Sequence, residues 1–175
     1  MGKKHYIQLY YGLGKGKTTA ALGLSMRAVG QGMKVVFIQW LKGRSEIGEF
    51  KIPQKLSPNF EVYQFGPEHF TWDKKGDLEH KELAQKGLDF LGEVVEKGGY
   101  DVLVLDELID AVVMKYIPQG KTIDLIKKAA EKGEVIITGH EVPKEFIELA
   151  DLVTEMKKVK HYFDQGQIAR KGIEY

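Results

Sequence analysis

Between an alternating run, His5 to Tyr10 (HYIQLY), and an alanine-rich stretch, Thr19 to Val29 (TAALGLSMRAV), lies the segment Tyr11-Gly12-Leu13-Gly14-Lys15-Gly16-Lys17-Thr18-Thr19. Alternation of bulky and polar residues predicts a strand, and apolar residues at helical spacing predict a helix. Glycines joining the two in that order let backbone N–H groups converge on an anion, and the helix N-terminus adds its positive dipole end. The chain is therefore organised around a phosphate cradle. Lys17 brings a point charge to the phosphates and Thr18 a hydroxyl for Mg²⁺. Gly12, Leu13, Gly14, Lys15, Gly16 and Thr19 complete the candidate contacts, and Lys17 is expected to face ligand or solvent. The widespread pattern G-x-x-x-x-G-K-[ST] would place glycine where this chain has Tyr11; the first glycine comes one place late, at Gly12. That shift changes which amides and carbonyls face the ligand. A turn that merely joins strand to helix is the competing reading, and the strand, loop and helix context weighs against it.

Downstream, Gly30-Gln31-Gly32 ends the first helix, and Lys34 to Trp40 (KVVFIQW) is a β-branched and aromatic run of the kind buried in parallel sheets. Leu41 to Pro58 carries Gly43, Gly48, Pro53 and Pro58 among charges. It is expected to be a mobile surface loop, too broken for a long helix and too polar for core. Phe60 to Phe65 (FEVYQF) predicts a third strand, followed by the loop His69-Phe70-Thr71-Trp72-Asp73. Apolar residues at helical spacing from Asp77 to Lys97 predict a long crossover helix, stopped by Gly98-Gly99. Tyr100 to Leu105 (YDVLVL), Glu134 to Thr138 and Leu152 to Met156 read as strands; Leu108 to Tyr116, Lys121 to Lys132 and Pro143 to Ala150 read as helices. This alternation predicts one domain over residues 1–175, a P-loop-like, three-layer α/β fold with a mostly parallel sheet of about six strands. Ligands then belong at the strands' C-terminal ends. The glycine loop, the His69 to Asp73 stretch, Asp106-Glu107 and Gly139-His140 all leave such ends.

Composition narrows the chemistry. Lys and Arg number 26 against 25 Asp and Glu, so no global field draws the chain to nucleic acid or to an anionic membrane. The absence of cysteine excludes disulfides, thiolate zinc sites and cysteine nucleophiles. No apolar signal region precedes the first strand, and no apolar run approaches the ~20 residues that span a bilayer, so a cytoplasmic protein is expected.

Asp106-Glu107, closing an apolar strand, is the acidic partner a phosphate loop requires, because Mg²⁺ on phosphates takes one or two carboxylates and keeps several waters. One of the pair is expected to bind the ion directly or through water; the alternative is an acidic pair favoured by a helix dipole. Lys15 adds charge to the cradle or is simply solvated, Arg27 is expected on the helix surface, and His140 stands where it could reach phosphate or ribose. Phe70 and Trp72 alternate across a loop, and composition alone favours core packing over binding for them.

Taken together, GLGKGKTTAALGLSMRAVGQG, VVFIQWLKG, the HFTW stretch, VLVLDEL, VIITGH and LADLVTEMKKVKHYFDQGQIARKGIEY resemble the ATP:corrinoid adenosyltransferases of the BtuR/CobO type. The resemblance runs over nearly the whole chain with the motifs in order, and the late first glycine belongs to its signature. It implies transfer of the 5′-deoxyadenosyl group of ATP to the Co(I) of a reduced corrinoid, with triphosphate leaving C5′, in adenosylcobalamin biosynthesis or salvage. Cobalt is then the nucleophile, and no side-chain nucleophile is needed. The amides of Gly12 to Thr18, Lys17 and Mg²⁺ would stabilise charge on the triphosphate. Lys17 and Glu107 are the expected catalytic residues, Glu107 supporting the metal with Thr18 while Asp106 acts structurally or through water. Phe70 and Trp72 would wall the lower face of the corrin, and the nucleotide would lie reversed across the loop relative to kinases. A homodimer and a reduced flavoprotein as electron donor are also implied. Leu13 departs from the polar residue common at its position, and only a few residues precede the first strand where some relatives carry an extension that closes the partner subunit's site. The loop and Asp106-Glu107 alone would also allow a small P-loop phosphotransferase or NTPase, or a non-catalytic carrier of nucleotide or corrinoid.

Overall fold

The computed structural model describes residues 5–68 and 74–175. Its strands are β1 (Ile7–Tyr11), β2 (Val35–Trp40), β3 (Phe60–Phe65), β4 (Val102–Asp106), β5 (Glu134–Gly139) and β6 (Leu152–Glu155). They form a six-stranded sheet in the order β3-β2-β4-β5-β1-β6, and every pairing is parallel. The helices are α1 (Lys17–Gly30), α2 (Gly48–Lys51), α3 (Pro53–Leu56), α4 (Lys74–Lys97), α5 (Leu108–Val113), α6 (Gln119–Ala130) and α7 (Lys144–Leu149).

The period-two alternation of strand side chains divides the interior into two halves. Ile7, Leu9, Ile38, Trp40, Leu103, Leu105, Val135 and Ile137 point to the face covered by α4 to α7, where Leu88, Leu91, Ile109, Ile126 and Phe146 meet them. Their neighbours Val35, Phe37, Val102, Val104 and Ile136 point to the other face, onto Ala21 and Ala28 of α1. Each large apolar side chain taken fully out of water contributes roughly 1.5–3 kcal/mol, so the sheet and its two helical layers form a stiff frame. All six strands end on one rim, and the chemistry collects there.

The segment from Leu41 to Pro58 is not the surface loop its polarity predicts. It contains α2 and α3, buries Ile47 at 5% exposure, and lays Ile52 and Leu56 against the α1 side of the core. The four-residue spacing of Ile52 and Leu56 is the helical signal that the prolines and charges obscure. Helix α4 starts at Lys74, earlier than its apolar periodicity indicates, and α5 stops at Val113. Among the described residues, no helix is long and apolar enough to cross a membrane.

Candidate active site

Tyr11 is the last residue of β1, paired with Gly139 on one side and Glu155 on the other. The position where the widespread motif has glycine is thus held inside the sheet, and the loop can begin only at Gly12. There φ is +113° and a Cβ would lie 2.6 Å from the Met156 carbonyl oxygen, so no side chain fits. The Gly12 amide donates to the Gly139 and His140 carbonyls, both at 3.2 Å, and the Gly14 amide to that of Met156 at 2.7 Å. The chain leaving β6 therefore clamps one wall of the cradle. Of the two surroundings expected for Lys17, it has the ligand side: it lines the cavity of the site, is only 8% exposed, and donates to the carbonyls of Gly12 (2.7 Å) and Gly14 (3.1 Å). Burial pulls its ammonium below the usual lysine range, against the pull of Asp110, Glu107 and Asp106. Leu13 is 70% exposed. Thr19 and Lys15 are exposed as well.

At the end of β4, Asp106 is fully buried. It accepts hydrogen bonds from the Thr18 hydroxyl (2.9 Å), Gln39 (3.1 Å), Lys42 (2.8 Å) and the Thr138 hydroxyl (2.8 Å). Burial alone would raise its pKa, but Lys42, Thr138 and Gln39 hold the carboxyl below the usual range. The adjacent Glu107 adopts left-handed backbone, φ +57°, with its amide bonded to the Thr138 hydroxyl at 2.8 Å. Burial pushes its carboxyl up to about 7; Asp106 and Asp110 add to the rise and Lys42 opposes it. Burial thus acts alike on the two neighbouring acids, but the donors around Asp106 draw it toward the anion while Glu107 is shifted the other way. The His140 amide and ring bond Asp110 at 2.9 and 3.1 Å. That contact raises the pKa of the imidazole.

Of these groups, Lys15, Lys17, Thr18, Lys42, Glu107 and His140 line a cavity of about 500 Å³, and Asp106 lies buried behind them. The phosphate loop, Asp106-Glu107 and His140 come together as their strand ends require. Arg27 is exposed on α1 and lies outside this cavity. Phe70 and Trp72 lie outside the described residues. Sequence reasoning missed Lys42, although it follows the C-terminal end of β2 by two residues and so falls on the ligand rim. Gln39 and Thr138, one residue inside strand ends, were missed for the same reason. It also missed the C-terminal segment, whose Gly172, Ile173, Glu174 and Tyr175 form part of the cavity wall. Lys15 donates to the Ile173 carbonyl at 3.2 Å and pairs with Glu174 at 3.3 Å.

A parallel sheet with a glycine loop feeding α1, and a buried carboxylate holding the first-turn threonine, defines a nucleotide-binding α/β protein of the phosphate-loop class. The chain belongs to the ATP:corrinoid adenosyltransferase family BtuR/CobO/CobP, which matches it over residues 3–175. It is 35% identical over 169 residues to the corrinoid adenosyltransferase of Escherichia coli K12, covering 97% of this chain and 85% of that protein. It is 35% identical over 173 residues to the corrinoid adenosyltransferase CobA of Salmonella typhimurium LT2, with 97% and 85% covered. The corrinoid adenosyltransferase of Pseudomonas aeruginosa PAO1 is 34% identical over 172 residues, with 97% and 83% covered. Among solved structures, the flagellar accessory protein FlaH of Methanocaldococcus jannaschii superposes with a TM-score of 0.55 at 13% identity, covering 85% of this chain and 69% of that one, a likeness of fold. The activity is that of the family, transfer of the adenosyl group of ATP to a corrinoid, which sets aside the phosphotransferase and carrier readings.

Proposed function

We propose that the cradle from Gly12 to Thr19 holds ATP by its triphosphate so that C5′ is presented to a corrinoid whose cobalt is reduced to Co(I). The Co–C5′ bond forms as the C5′–O bond breaks, and the electron pair leaves with the triphosphate. The work of this protein is then to bind and orient that leaving group and to stabilise the charge that builds on it. Lys17 and the loop amides are the groups suited to it. The observation that carries the proposal is the bond from Thr18 to Asp106, which ties the first turn of α1 to the carboxylate at the end of β4 and fixes the cradle against the sheet.

The residues present fit Mg²⁺. Thr18, Glu107 and Asp106 are hard oxygen donors, and among the described residues no group of three or more His, Cys, Asp or Glu side chains could hold a metal by itself. An ion here must take its remaining oxygens from phosphate and water, as Mg²⁺ does. Glu107 and Thr18 would hold it, with Asp106 positioning Thr18 from behind. When bound, Mg²⁺ would draw charge from the phosphate oxygens.

Phe70 and Trp72 are proposed as an apolar wall against the lower face of the corrin. Such a wall offers cobalt no donor and excludes water, which eases reduction of Co(II) by a flavoprotein. A homodimer, implied by the family resemblance, completes the proposal. The test is anaerobic incubation with ATP, Mg²⁺ and chemically reduced cobalamin, in which the absorption spectrum is expected to become that of a Co–C bonded corrinoid; an unchanged spectrum would overturn the proposal. Trp72→Ala should preserve much of that reaction and sharply slow the one started from Co(II) with a reduced flavoprotein. Equal loss in both, with a lowered Tm, would instead mark Trp72 as core packing.

A further inference from the structure

We propose that Lys42 is a second phosphate-binding lysine, which reaches the triphosphate from the end of β2 while Lys17 reaches it from α1. This rests on the reading of the cavity as a triphosphate site. The backbone around Lys42 is fixed at a conformational cost. Leu41 takes left-handed φ, +58°, which is unusual for a branched side chain, while its amide donates to the Phe65 carbonyl at 3.2 Å. A Cβ on Gly43 would lie 2.0 Å from the Gly66 carbonyl oxygen, and one on Gly66 would lie 2.3 Å from the Leu41 carbonyl carbon. Two backbones are thus pressed together where neither glycine can be replaced, and strain held by its surroundings gathers at functional sites.

The ammonium so placed lies 2.8 Å from Asp106, 3.4 Å from Glu107 and 3.3 Å from the Thr18 hydroxyl. Asp106 does not require it for hydrogen bonding, because Thr18, Gln39 and Thr138 already donate to that carboxylate. What a lysine adds is charge. Glu107 in the cavity wall and Asp106 buried behind it would repel a polyanion, and Lys42 sits against both of them. Its side chain keeps 23% exposure and lines the same cavity as Lys15, Lys17 and Thr18. The flexible stem and three donors of lysine suit a move from carboxylate to phosphate. An ion held by Thr18 and Glu107 would compete with Lys42 for these oxygens and would leave its ammonium free for the phosphates.

The test is calorimetric binding of inorganic triphosphate with Mg²⁺ to the full chain, its Lys42→Gln variant and its Lys42→Arg variant. Lys42→Gln keeps a donor for Asp106 and is expected to weaken binding by about ten-fold or more, the typical effect of a charged contact, while Lys42→Arg retains most of the affinity. In the unsubstituted protein, where no variant has to fold, the nitrogen-15 resonance of Lys42 should shift when triphosphate is added. Unchanged affinity in Lys42→Gln, or a Lys42 resonance that triphosphate leaves in place, overturns the proposal and makes Lys42 a structural counter-ion of Asp106. If the unsubstituted protein binds no triphosphate, the reading of the cavity falls, and this proposal with it.

Discussion

In the proposed triphosphate site, Lys17 and the acidic pair would divide the electrostatic work. Lys17 donates to two carbonyls of its own loop, so it arranges the cradle as well as charging it. A charge-assisted contact to phosphate is worth about 1.5–3 kcal/mol. Lys17→Ala is therefore expected to lower ATP affinity at least ten-fold by calorimetry, and near-normal binding in a folded variant would contradict the assignment. At the acidic pair the same substitution has unequal consequences. Glu107→Gln removes a charge facing the cavity, and should raise the Mg²⁺ concentration needed for half-maximal activity while leaving the Tm in place. Asp106→Asn puts an amide where Thr18, Gln39, Lys42 and Thr138 all donate, and should lower the Tm because buried donors are left without an acceptor. If only Asp106→Asn changes the Mg²⁺ requirement, the roles of the two acids are exchanged.

Among the elements, the C-terminal segment is the one whose role depends most on its fold. Its 3₁₀ turn, Tyr162–Gln165, precedes a cluster in which Glu174 accepts from the Arg170 amide at 2.7 Å, bonds the Tyr162 hydroxyl and pairs with Lys15. Arg170 and Tyr162 hold the Glu174 carboxyl at a pKa of about 2. This ties the tail to the phosphate loop at one edge of the cavity. Glu174→Gln should raise KM for ATP, by no more than about five-fold for an ion pair whose lysine is exposed to water, and speed amide hydrogen exchange from Gly172 to Tyr175. Unchanged exchange there would show that the pair does not hold the tail. None of this is legible in the sequence, since KHYFDQGQIARKGIEY carries no periodicity and its partners are distant in the chain. The strands are legible because VLVL and VIIT are apolar on both faces, and the cradle because its glycines follow directly on β1. Lys42 was hidden in a segment whose charges and prolines read as solvent-exposed, while in the fold the apposition of Gly43 with Gly66 accompanies its placement against Asp106.

Viewed as a whole, the molecule gathers loops from β1, β2, β4 and β5 and the C-terminal tail around one cavity, and leaves β6 as a sheet edge with an exposed face. The proposed homodimer should appear as twice the mass of the 19.8 kDa chain by light scattering at assay concentration; a fully active monomer would contradict it. The central claim is that the cradle serves a leaving triphosphate rather than a transferred phosphoryl group. Anion-exchange analysis of the phosphate products from an anaerobic reaction with ATP, Mg²⁺ and Co(I) corrinoid tests it most directly. The account predicts intact triphosphate appearing mole for mole with adenosylated corrinoid, and both falling together in Lys17→Ala. ADP with inorganic phosphate, formed as fast with corrinoid as without it, would contradict it.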